Sequence, residues 1–153
     1  MNHAVFMLLA AGAGCCIALQ ASANSKFRQT LDTEPWAAPI WASYLSICGT
    51  ILTSSLAMLI LRPPAPTWDS LRSTQWWNWI GGPLGALIVL AGATLVRELG
   101  AAAFIALVVG GQLACSLLLD HFALLGLEER PMSLGKVAGA VLVLGGVLCL
   151  KFL

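Results

Sequence analysis

Five polar side chains stand in otherwise apolar surroundings at helical spacing. Gln20 and Asn24 are four residues apart, and Gln112, Ser116 and Asp120 repeat that interval. Residues at i and i+4 share one face of a helix, so each set forms a polar stripe. The chemistry of such stripes is recognition rather than bond making, because amides and hydroxyls both donate and accept hydrogen bonds. Asp120 adds a titratable group. In a low-dielectric setting a carboxyl holds its proton more tightly and can exchange it for a cationic or polar solute. A plainer reading stands beside each of these. Gln20, Asn24 and Gln112 could tie neighbouring helices together through hydrogen bonds worth about 0.6 kcal/mol each. Asp120 is the twentieth residue of a helix that begins at Ala101, which would leave it at the headgroup boundary beside His121.

Other chemistry finds little support. The five cysteines, Cys15, Cys16, Cys48, Cys115 and Cys149, all lie in apolar runs, without a Cys-x-x-Cys pair or a Cys/His ligand spacing. They read as small buried hydrophobes, and no metal or cofactor is expected. No catalytic triad or phosphate-binding loop is present, so the chain does not read as an enzyme. A formal net charge of +1 implies no nucleic-acid partner.

The elements that must position the stripes follow from composition. The 153 residues are 59% hydrophobic and 10% charged, whereas soluble domains carry charge on about a quarter of their residues. A domain of this size could not hide that much apolar surface from water, so the bilayer must act as solvent. Lipid offers the backbone no hydrogen-bond partner, which restricts spanning segments to helices or closed barrels, and long unalternating apolar runs exclude the barrel. Crossing about 30 Å of hydrocarbon takes about 20 residues. Charge-free stretches at Met1 to Ser25, Pro35 to Leu61, Ser73 to Val96 and Leu99 to Leu119 meet that length, and Pro131 to Leu150 meets it with Lys136 near its start. The expectation is an all-α integral membrane protein with five transmembrane helices in one domain, spanning about 4–24, 37–61, 76–96, 101–122 and 132–151. Lys136 and Lys151 would snorkel outward from the last of them.

The connectors read as water-facing turns. Lys26 to Glu34 is polar, Arg62 to Gln75 holds three prolines, and Glu128, Glu129 and Arg130 precede the last span. Arg97 to Gly100 is short enough to demand a tight antiparallel hairpin between the third and fourth spans. Trp36 and Trp41 open the second span and Trp76, Trp77 and Trp79 open the third, the depth at which aromatic rings anchor to the interface. Ala21-Ser22-Ala23 after an apolar run imitates a signal-peptide cleavage site, but the run is too long and lacks a basic start, so it is expected to be retained. Gly81 and Gly85, and Gly135 and Gly139, have the spacing that lets helices approach closely, and packing is their expected role.

Five crossings place Arg62, Arg72, Arg130 and Lys136 on one side and Lys26, Arg28, Arg97 and Lys151 on the other, four against four. Basic asymmetry sets insertion direction, so a tie supplies no preference. Either loop length or a partner chain fixes one orientation, or copies insert both ways and pair antiparallel. The second arrangement would rebuild from two short chains the inverted repeats of many transporters.

These residues also resemble a known family, the YdcZ-type five-helix proteins of unknown function in the drug/metabolite transporter superfamily. The resemblance rests on Gln20-x-x-x-Asn24, on Trp77-x-x-Ile80-Gly81-Gly82-Pro83-Leu84-Gly85-Ala86, and on Leu99-Gly100-Ala101-Ala102 followed by Gly111-Gln112 and Asp120-His121-Phe122. It implies a multi-pass protein of the bacterial inner membrane that forms half of a transporter. The expected function is proton-coupled secondary transport of a small solute by an antiparallel homodimer, with Gln20, Asn24, Gln112, Ser116 and Asp120 along the pathway. Two alternatives stand: a non-transporting subunit that stabilises or regulates a partner, and one half of a heterodimeric transporter.

Overall fold

The computed structural model describes residues 3–152, with side chains described through Cys149. The start of the first charge-free run at Met1 and the side chain of Lys151 lie outside the described residues. All regular structure among the described residues is helical. Four helical stretches are long and apolar enough to cross a bilayer, His3–Thr30, Ala38–Leu61, Trp76–Leu99 and Ala101–His121. Many of their large side chains, including Leu8, Leu52, Ile60, Leu87 and Leu107, are exposed. Such faces are stable only where hydrocarbon replaces water. The chain is a membrane protein. It divides into two compact units, Met1–Glu98 and Leu99–Leu153.

The first unit holds α1 (His3–Thr30), α2 (Ala38–Leu61), α3 (Trp68–Arg72) and α4 (Gly81–Leu99). The 28 residues of α1 make a rod of about 42 Å at 1.5 Å per residue, longer than the hydrocarbon core. This corrects the expected polar connector from Lys26. No breaker interrupts Ser25 to Thr30, and Arg28 in the last turn complements the helix dipole, so the helix continues and only Leu31 to Ala37 joins it to α2. Helix α2 starts with Pro39 in its first turn, where the missing N–H costs nothing. It ends at Arg62, whose left-handed backbone (φ 45°, ψ 51°) sends its N–H back to the Met58 carbonyl at 3.0 Å. Three hydroxyls within α2 are satisfied by their own helix: Ser43, Thr50 and Thr53 donate to the carbonyls of Pro39, Ser46 and Gly49 at 2.7, 3.2 and 2.9 Å. That bond lets a hydroxyl sit in lipid without a partner helix.

Between α2 and α4 the chain is not simply a turn. Thr67 accepts from the Ser70 N–H and caps the five-residue α3, and Trp76–Trp79 forms a 3-10 turn whose Trp79 Nε1 donates to Thr74 Oγ1 at 3.0 Å. The second unit holds α5 (Ala101–His121) and α6 (Leu134–Phe152). Ser133 caps α6 by accepting the Lys136 N–H at 3.3 Å. The Lys136 ammonium does not extend away from the protein. It donates to the Arg130 and Pro131 carbonyls at 3.1 and 3.2 Å, closing the loop onto the helix start.

Helices α5 and α6 pack against each other, and their close approach is at Gly110. A Cβ there would lie 3.0 Å from Leu144 Cδ2 and 3.9 Å from Val147 Cγ2. Gly110→Leu is therefore expected to destabilise the pair by about 1–3 kcal/mol through overpacking. Thermal unfolding in detergent measures this, and Leu144→Ala in the same chain should recover most of the loss.

Candidate solute pathway

The polar candidates fall on both units, and their local surroundings differ. On α1, Gln20 is exposed while Asn24, one turn on, is 6% exposed, and Ala21 and Ser25 of the same helix are buried with it. The Asn24 Nδ2 atom is buried and has no hydrogen-bond partner among the described residues. A donor left unmade in the interior costs about 1–3 kcal/mol. One further turn along the same stripe is Arg28. Its Nη1 donates to the carbonyls of Thr94 at 2.9 Å and Ala93 at 3.3 Å near the end of α4. The stripe is thus Gln20, Asn24, Arg28, and the last member tethers α1 to α4. In the sequence Arg28 falls within the expected connector Lys26 to Glu34, although its spacing of four from Asn24 places it on the same stripe.

On α5, Gln112, Ser116 and Asp120 share a face. Ser116 donates to the Leu113 carbonyl at 3.0 Å and is satisfied within its own helix. Gln112 is exposed and sits at the twelfth of the 21 residues of α5, the middle of the span, with no hydrogen bond from its amide among the described residues. Asp120 is half-buried in the last turn. The chain after it folds back: the Arg130 N–H donates to the Asp120 carbonyl at 2.8 Å, and the Met132 N–H to His121 Nδ1 at 3.4 Å. Three left-handed residues, Ala123, Leu125 and Gly126, turn the chain for this return. Only the glycine does so at no steric cost. The fold-back leaves a cleft of about 420 Å³ lined by Asp120, Gly126, Leu127, Glu128 and Arg130. Glu128 and Arg130 form an exposed ion pair at 3.7 Å across its rim.

Within its own unit, a Cβ added at Gly81, Gly85 or Gly139 would find no described atom within 4 Å, and at Gly135 only the nearby Ser133 Oγ at 3.9 Å. The close approach between α5 and α6 is at Gly110.

Residues 5–149 match the family described as "Putative inner membrane exporter, YdcZ". The chain belongs to this family. A relative in the YdcZ family, the inner membrane protein YdcZ of Escherichia coli (strain K12), is 29% identical over 147 residues, which cover 95% of this chain and 94% of the relative. No solved structure matches the chain. The matched stretch contains all five polar candidates, and the exposed apolar helices agree with residence in the inner membrane. The family is described as an exporter, which is not a class of enzyme.

Proposed function

We propose that the chain is a secondary transporter of a small solute, an exporter in the sense of its family, that crosses the membrane five times and works as an antiparallel homodimer. Gln112 carries this reading. An amide left exposed on its own unit at the middle of a membrane helix costs several kcal/mol wherever hydrocarbon meets it. A second copy, or a water-filled passage between two copies, removes that cost. The open glycine faces at Gly81, Gly85 and Gly139 suit the same purpose, since smooth surfaces permit close approach of a partner. Helix α6, 19 residues long, would serve as the fifth crossing and place the two ends of the chain on opposite sides.

Antiparallel pairing brings residues near the end of α1 in one copy into the leaflet that holds the end of α5 in the other. Gln20 and Asn24 of one copy and Asp120 of its partner would then line each of two vestibules, with Gln112 and Ser116 deeper. Asp120 would carry the coupling proton. Two measurements test this. Cysteines introduced at each terminus should be labelled from both sides of intact cells; labelling of each terminus from one side only eliminates dual insertion. Purified protein in liposomes should move a solute in response to a proton gradient; a broad solute screen without flux eliminates transport and leaves an accessory role.

A further inference from the structure

The Asn24–Arg28 segment of α1 presents donors without an acceptor. The guanidinium has five N–H groups, of which the two on Nη1 are directed at the Ala93 and Thr94 carbonyls. Three remain, on Nε and Nη2. Among the described residues no carboxylate lies within 4.0 Å of Arg28, and the ion pair found is Arg130 with Glu128. One turn away, Asn24 is only 6% exposed, and its Nδ2 has no partner among the described residues. A half-buried cation without a counter-ion, next to an unmet amide N–H, is an incomplete set whose missing member accepts hydrogen bonds and carries negative charge.

We propose that Asn24 and Arg28 bind the oxyanion of a small carboxylate-bearing solute. This names the solute class of the transporter proposed above and rests on that reading. A carboxylate has two oxygens and about four acceptor positions, enough to take the free Arg28 edge and the Asn24 amide together. Because Nδ2 is sealed in the present arrangement, the solute reaches it only when the packing around Asn24 opens. The Arg28 bonds to α4 hold that end closed, and the unmet Asn24 donor disfavours the closed state. Solute binding supplies the acceptor and shifts the balance toward the open one, as a ligand must when it interacts differently with two states.

The chemistry could also be met by a lipid phosphodiester, since α1 extends beyond the hydrocarbon core, so the test separates the two sources. The full chain is placed in nanodiscs of phosphatidylcholine, and thermal unfolding is followed with butyrate, butyramide and butylamine. Butyrate is expected to raise the midpoint in a saturable way while the amide and amine do not. Arg28→Gln should weaken butyrate at least tenfold, and Arg28→Lys, which keeps charge but not the planar fork, by less. Arg28→Gln also loosens α4, so Asn24→Leu is the second variant: it removes the unmet donor, should raise the ligand-free midpoint, and should still weaken butyrate about tenfold. Unchanged butyrate affinity in Asn24→Leu overturns the proposal. Stabilisation by butylamine instead overturns the solute class and leaves transport standing. No butyrate effect, with an Arg28-dependent rise on adding phosphatidylglycerol, assigns the site to lipid and overturns it. A butyrate shift that obeys both variants in a protein that moves no solute supports the site and removes the transport reading alone.

Discussion

Asp120→Asn is expected to abolish uphill solute movement driven by a proton gradient while leaving downhill exchange of solute for solute nearly intact. The amide has the shape of the carboxyl and keeps its hydrogen-bonding capacity, but it cannot release a proton. The fold should survive, because the bond that ties the loop to this position is accepted by the Asp120 backbone carbonyl from the Arg130 N–H at 2.8 Å, and Asn supplies the same carbonyl. A fall of about tenfold or more in gradient-driven flux, equal to about 1.4 kcal/mol on the limiting step, is the expected size. Liposomes loaded with solute and given an inward or outward pH step provide the measurement, with solute counterflow at equal pH as the internal control. If Asp120 merely rests at the headgroup boundary, both fluxes stay at the level of the unmodified protein. A parallel loss of both would instead assign Asp120 to solute binding and remove it from coupling.

The helices were legible in the sequence wherever one physical demand dominated. Hydrocarbon requires long apolar runs, so α2 and α5 stand out by length alone, as do the prolines after Arg62 that stop α2. Helix ends were harder. Charge was used to end the first span, but charge does not break a helix, and α1 continues through Lys26 and Arg28 because nothing there opposes it. The short α3 was hidden for the opposite reason: a five-residue helix has no periodicity to read, and only the Thr67 cap announced it. Among the site candidates, spacing groups residues by helix face but does not say what covers that face. Asn24 and Gln20 share a stripe, yet one is buried and one exposed. Gly110 looked like one of several small residues, and only the Leu144 side chain across from it distinguishes it from Gly81 or Gly85. Arg28 was the largest omission, since its partners are backbone carbonyls of α4, which no side-chain pattern records.

Gln112→Leu separates a pathway from a structural tie. If Gln112 only links helices, its bond is worth about 0.6 kcal/mol, and losing it changes a dimerisation constant by about threefold. Leu at that exposed mid-helix position is also a better neighbour for lipid, so the lone chain should insert and accumulate at least as well as before. A pathway residue behaves differently. An amide facing a passage keeps water and solute in contact with the wall, and a branched alkyl group there makes a dry constriction that nothing polar can wet. Flux is then expected to fall about tenfold or more with the dimer still formed, a loss beyond what a single helix tie could produce. Cross-linking in the native membrane reports the dimer, and counterflow in liposomes reports the passage. Retained flux with a weakened dimer would place Gln112 at the interface between copies and move the passage elsewhere. Gln112→Asn adds a second discrimination: the shorter amide remains polar but reaches less far, so it should restore wetting and much of the flux if the passage is water-lined, and restore little if an interhelical bond of fixed length is the whole of its role.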